Sequence, residues 1–166
     1  MKKPLLLSAI IISSLVSCGK DCDFEPDLNV NQTQLAKDIE AIDAYLEGYQ
    51  EENNVQVESH PSGIRYLIKR EGSGNKPGNC SQVRVSYEGK LISTGFVFDD
   101  GTERIRVFDL RSLIPGWQIG IPLIKDAGRI TLFIPSVYAY GADGRPDSGI
   151  PPNANLQFEI ILYESF

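Results

Sequence analysis

The chain of 166 residues carries one histidine, one tryptophan, one methionine and only three cysteines. The histidine, His60, sits in a polar turn before Pro61, and no nucleophile-elbow pattern accompanies it. A Ser-His-Asp triad would have to use this histidine, and the sequence offers no elbow to set a serine beside it. One histidine and so few thiols also give no recognisable zinc spacing. The run Gly72-Ser73-Gly74 precedes no helical pattern, which makes it a turn rather than a phosphate cradle. Positive charge is scarce as well. Sixteen basic against twenty-two acidic residues leave a formal net charge of −6, so the surface has no electrostatic reason to seek nucleic-acid phosphates or anionic lipid. There is no internal repeat, and the length suits one domain with a modest core. No cofactor or metal is expected.

The N-terminus reads as a targeting segment. Lys2 and Lys3 precede a short apolar run from Leu5 to Val16, too short to span a membrane comfortably, and residues 1–17 are expected to be a secretory signal peptide. The closing tetrapeptide Leu15-Val16-Ser17-Cys18 resembles the bacterial lipobox, in which the cysteine sulfur receives a diacylglyceryl group. Cys18 is accordingly the expected lipidation site, and a stable anchor follows when more than one acyl chain is present. Residues 18–31 are polar, acidic and aperiodic, as a solvated tether would be. The expected location is the bacterial cell envelope, anchored by lipid to the outer membrane on its periplasmic face or at the cell surface. Export makes a Cys22–Cys80 disulfide chemically allowed, and the sequence leaves the pairing open.

From residue 32 the pattern becomes regular. Leu35, Ile39, Ile42, Leu46 and Tyr49 recur at helical spacing, predicting an amphipathic helix over 32–54, capped by Thr33 or Asn31. Its stripe must bury against its own domain or against a second copy, and the latter would make a homodimer. Within 55–166 the period is two. Ile64, Tyr66 and Ile68 mark one strand and Val83, Val85 and Tyr87 a second that ends at Gly89. Further strands are expected near Arg104–Leu110, Arg129–Ile134 and Leu156–Leu162. Leu113 to Ile119 reads as a short helix with Pro115 in its first turn. The fold class is α+β, an antiparallel sheet packed on one short helix.

Aromatics and prolines gather at the chain breaks. Val83-Arg84-Val85-Ser86-Tyr87-Glu88-Gly89, Phe98-Asp99, Ile114-Pro115-Gly116-Trp117, Tyr138-Ala139-Tyr140-Gly141 and Ile150-Pro151-Pro152 occur in the order of the FKBP family, the macrolide-binding peptidyl-prolyl isomerases. The resemblance covers about residues 62–164. It implies an FKBP-like sheet wrapped on a short helix and isomerisation of X-Pro bonds in exported or envelope polypeptides. Macrolide inhibitors would be further ligands. It also implies a pocket lined by Tyr87, Phe98, Asp99, Leu113, Ile114, Trp117, Tyr140, Ile150 and Phe158. In such a pocket Trp117 is the floor under the proline ring, and the Ile114 N–H and Tyr140 hydroxyl donate to substrate carbonyls. Asp99 has a second reading as the cap of the Asp100-Gly101 turn. One position departs from the family pattern: Arg106 stands where an aromatic or large apolar residue is usual, and a charge there would narrow or polarise one wall. Arg106 also favours the alternative reading, a low-turnover chaperone or assembly module.

Overall fold

The computed structural model describes residues 24–166. The expected signal peptide over 1–17, the expected lipidation site Cys18 and Cys22 lie outside the described residues. Cys80 is disulfide-bonded. No helix among the described residues is long and apolar enough to cross a membrane.

Helix α1 (Gln32–Asn53) opens on Asn31, whose side chain accepts from the Gln34 N–H at 3.1 Å, so Asn31 is the cap and Thr33 lies inside the first turn. It closes on Asn54 in the left-handed region, a conformation asparagine tolerates. Seven strands follow: β1 (Glu58–Ser59), β2 (Arg65–Arg70), β3 (Gln82–Leu91), β4 (Val97–Asp100), β5 (Arg106–Asp109), β6 (Arg129–Ile134) and β7 (Leu156–Ser165). Helix α2 (Pro115–Gly120) sits between β5 and β6. The sheet runs β1-β2-β6-β7-β3-β4 with every pair antiparallel, and β5 pairs with β3 beyond the end of β4.

The main core lies between the sheet and α2. It includes Val83, Val85, Leu110, Ile121, Ile130, Leu132, Ile160 and Leu162, all fully buried. Helix α2 approaches β6 at glycine distance. A Cβ on Gly116 or Gly120 would lie 2.4 Å from the side chain of Ile134 or Leu132 respectively, so only glycine lets the helix lie flat on this strand. Pro115 occupies the first turn, where its missing N–H leaves no helical bond unmade.

Strand β3 runs past the point where the sequence suggests a stop. Gly89 lies inside it, next to a bulge at Lys90. A Cβ there would come within 2.7 Å of both the Phe98 and Phe158 rings. The glycine is a clearance for two crossing aromatics, not a turn.

Helix α1 covers the opposite face of the sheet. Side chains alternate along a strand, so Phe133 points away from the Leu132 side and meets Ile42 and Leu46 in a second cluster. Tyr49 stands edge-on to the Phe133 ring at 5.2 Å, and the Tyr45 hydroxyl bonds Gln157 Oε1 at 3.1 Å. The apolar stripe that a second copy would cover is thus packed on the same chain. Asp38, only 2 % exposed, interrupts this stripe for a reason: its Oδ2 accepts from Ser136 Oγ at 2.6 Å, while Asn155 Nδ2 donates to its backbone carbonyl at 3.3 Å. Asn155 Oδ1 in turn accepts the Ser136 N–H at 3.0 Å. Part of the expected tether also engages the domain. Asn79 Nδ2 donates to the Phe24 carbonyl at 3.1 Å, and Val30 packs on the main core.

Removing the Asp38 carboxylate strands a buried hydroxyl. Asp38→Ala is expected to lower the unfolding free energy by about 1–3 kcal/mol in urea titrations, with Asp38→Asn losing less. An unchanged midpoint would show that the clamp between α1 and the sheet carries no weight.

Candidate active site

A cavity of about 250 Å³ opens between α2, the β3–β4–β5 edge and the loop joining β6 to β7. Trp117, 4 % exposed, forms its base. Tyr87 from β3, Phe158 from β7 and Phe108 from β5 meet the indole at 4.9, 5.3 and 6.3 Å, with interplanar angles of 90°, 88° and 88°. Edge-to-face contacts of this kind suit the ring quadrupoles and hold each wall upright over the floor. Phe98 from β4 continues the wall by standing edge-on to Phe158 at 5.6 Å, over the clearance at Gly89. The result is a slot walled mainly by aromatic rings.

Two polar donors face this slot. Ile114 lies immediately before α2, and its carbonyl accepts from the Trp117 N–H at 2.9 Å. Its own N–H has no protein acceptor among the described residues, as expected for an amide before the first helical turn. Gln118, buried in α2, donates through Nε2 to the Leu113 carbonyl at 2.7 Å and to the Arg111 carbonyl at 3.2 Å. The Leu113 carbonyl and the Ile114 N–H belong to one planar trans peptide and point in opposite directions. Anchoring the carbonyl therefore turns the N–H away from Gln118, where Ser112, Leu113 and Ile114 edge the cavity. Tyr140 supplies the second donor. Its hydroxyl accepts from Arg145 Nη1 at 3.4 Å, which leaves its own hydrogen available to the slot.

Tyr87, Phe98, Asp99, Leu113, Ile114, Trp117, Tyr140 and Phe158 all line this one cavity. Ile150 does not. It is 1 % exposed and packs in the core beneath, while its backbone exchanges both hydrogen bonds with Arg145 at 2.8 and 3.1 Å. The buried Ile150 thus positions Arg145, an unpredicted lining residue. Phe108 and Ser112 also line the cavity, and Phe108 was legible only as the reference point for Arg106.

Arg106 acts from behind the wall. It is not a lining residue. Its guanidinium lies over the Tyr87 ring at 5.3 Å, donates to the Tyr87 hydroxyl at 2.7 Å and pairs with Asp99 at 3.2 Å. Asp99 also accepts from the Tyr87 hydroxyl. The turn cap is a different residue: Asp100 Oδ1 accepts from the Thr102 N–H and Oγ1, so Asp99 is free for the triad with Tyr87 and Arg106. Burial, then the bond and the charge of Asp99, push the Tyr87 phenol far above its ordinary value. Among the described residues no three His, Cys, Asp or Glu side chains converge as a metal site would require.

A family model described as FKBP-type peptidyl-prolyl cis-trans isomerase matches residues 73–163. The chain belongs to this family. It is 41% identical over 108 residues to a probable FKBP-type peptidyl-prolyl cis-trans isomerase FkpA of Neisseria meningitidis serogroup B, covering 64% of this chain and 39% of that protein. It is 37% identical over 139 residues to FkpA of Escherichia coli K12, covering 80% of this chain and 50% of that one. The chain thus spans half or less of the length of these two relatives. Among solved structures, the crystal structure of FkpA from Escherichia coli aligns with a TM-score of 0.64 and 36% identity over 81% of this chain and 63% of that one. A peptidyl-prolyl cis-trans isomerase from Pseudomonas syringae pv. tomato aligns with a TM-score of 0.65 and 30% identity over 81% and 94%.

The raised phenol has a signed consequence for stability. A group whose folded pKa lies above its unfolded value stabilises the fold below the unfolded value, and that stabilisation drains away as pH rises beyond it. Tyr87 ionises near pH 10 when unfolded. The fall in Tm above about pH 10 should therefore be shallower in Tyr87→Phe than in the native protein. Parallel declines would rule out the buried phenol as the source.

Proposed function

We propose that the domain catalyses cis/trans isomerisation of X-Pro bonds in exported or envelope polypeptides. The observation that carries this reading is the pairing of a Trp117-floored apolar slot with two unspent donors, the Ile114 N–H and the Tyr140 hydroxyl. Twisting a peptide bond costs about 18–20 kcal/mol because the nitrogen lone pair is shared with the carbonyl. For X-Pro the two planar states are close in energy, so the difficulty is the barrier alone. No bond is broken, and no nucleophile or proton carrier is needed.

The proline ring would rest on Trp117 between Tyr87, Phe98 and Phe158. The planar amide is more charge-separated than the twisted one, so an apolar surround opposes the planar state more. Donors whose best fit is the twisted geometry add stabilisation at the top of the barrier only, which is what raises turnover. Gln118 serves as a positioning residue, holding the peptide that carries the Ile114 N–H. Macrolides with a proline-like ring would compete for the same slot. In this reading residues 1–17 direct export, Cys18 carries the lipid, 18–31 link it to the fold, α1 buttresses the sheet and 55–166 form the isomerase unit. The lipid holds the protein at the bacterial envelope.

Assay of cis-to-trans conversion of a proline tetrapeptide tests the proposal. Trp117→Leu and Tyr140→Phe are each expected to lower kcat/KM by about tenfold or more, as loss of a wall or donor costs of order 1–3 kcal/mol. Unchanged rates in both variants would remove the site. Gln118→Leu should lower kcat more than it raises KM and quicken hydrogen exchange at the Ile114 amide. Unaltered exchange would separate Gln118 from that amide.

A further inference from the structure

We propose that Arg145 selects substrates with a carboxylate beside the proline, on the side whose carbonyl meets Tyr140. The inference rests on the isomerase reading and adds a substrate class to it.

Two arginines lie near the slot, Arg106 behind its wall and Arg145 in its lining, and their surroundings differ. Arg106 is neutralised by Asp99 at 3.2 Å and bonded to Tyr87. Arg145 lines the cavity, is exposed, and forms no ion pair among the described residues. Among the described residues its one side-chain hydrogen bond is the long one to Tyr140, and its guanidinium lies over the Tyr140 ring at 5.6 Å.

The backbone keeps Arg145 at this post. It forms a bridge with Ile150, whose buried side chain fixes the base of the loop. The Gly144 N–H bonds the Tyr140 carbonyl at 3.1 Å, and Gly144 and Gly149 take the left-handed turns that fold the loop back. The charges facing Arg145 are Asp99, already spent on Arg106, and the exposed Asp147 two residues along the loop, which does not reach it. A guanidinium with free N–H groups beside a substrate-binding hydroxyl is suited to a planar carboxylate, which it holds by parallel hydrogen bonds. A lysine on the substrate would be repelled at the same point. Tyr140 supplies the link to the slot: the group that donates to the substrate carbonyl is the one Arg145 stacks on.

The test uses the full chain in detergent and tetrapeptides carrying Glu, Ala or Lys directly before or directly after proline. For one of the two placements, kcat/KM for Glu should exceed that for Lys by about fivefold at low salt, as befits a partly exposed charge pair. The ratio should fall towards one between about 20 mM and about 500 mM NaCl. Arg145→Lys should keep part of the preference, and Arg145→Glu should invert it. Equal Glu-to-Lys ratios in the native protein and Arg145→Glu would overturn the assignment. If Arg145→Glu does not fold, the native protein decides alone, and a ratio indifferent to salt overturns it. Acceleration that ignores substrate charge counts against Arg145 only, whereas no acceleration of any peptide counts against the isomerase reading itself.

Discussion

The indole of Trp117 meets three aromatic rings at nearly right angles, and the site exists because that arrangement leaves a cavity of about 250 Å³ rather than a filled core. Each wall comes from a different strand, so the gap requires β3, β4, β5 and β7 to be in register. Its floor comes from a helix of only six residues, which lies on β6 at glycine distance. A bulkier residue at Gly116 or Gly120 would lift the helix and the indole with it. Core packing and the candidate chemistry are therefore one constraint. The same helix leaves the Ile114 N–H unpaired, because the first amides of any helix have no partner within it.

Much of this was legible in the chain. Alternation marked β3, β6 and β7, and the helical stripe marked α1, since burial on one face leaves a periodic trace. Tyr87, Phe98, Trp117, Tyr140 and Phe158 were named through the resemblance of their motifs to one family, and the structure sets these five rings around one cavity. Strands β1 and β4 escaped notice. Two and four residues are too short for a period to emerge, and β4 is mostly exposed or half-buried. Gly89 was taken for a terminator because a glycine made necessary by a ring crossing above it looks in sequence like a glycine made necessary by a turn.

The residues whose roles were missed or misread share a property: those roles depend on partners distant in sequence or on local backbone direction. Asp38 interrupts an apolar stripe, and its reason is visible only once Ser136 and Asn155 are placed beside it. Gln118 looks like an ordinary helical residue, yet it fixes the peptide plane before its own helix. Arg106 occupies a wall position in the linear pattern but reaches round the outside of Tyr87 to Asp99. Arg145 carries no periodic signal in the sequence, and only the Ile150 bridge sets it beside Tyr140. A further coupling follows from Asp38. Helix α1 clamps the turn that leads into Tyr140, so an element outside the family match at 73–163 bears on a lining residue of the site.

Nitrogen-resolved NMR during titration with a proline peptide probes the slot and its donors together. The account predicts that the Ile114 amide and the Trp117 indole N–H shift in step with binding, while exchange cross-peaks appear between the cis and trans forms of the peptide. Exchange cross-peaks with both of these N–H signals unmoved would contradict it, since catalysis would then be taking place elsewhere.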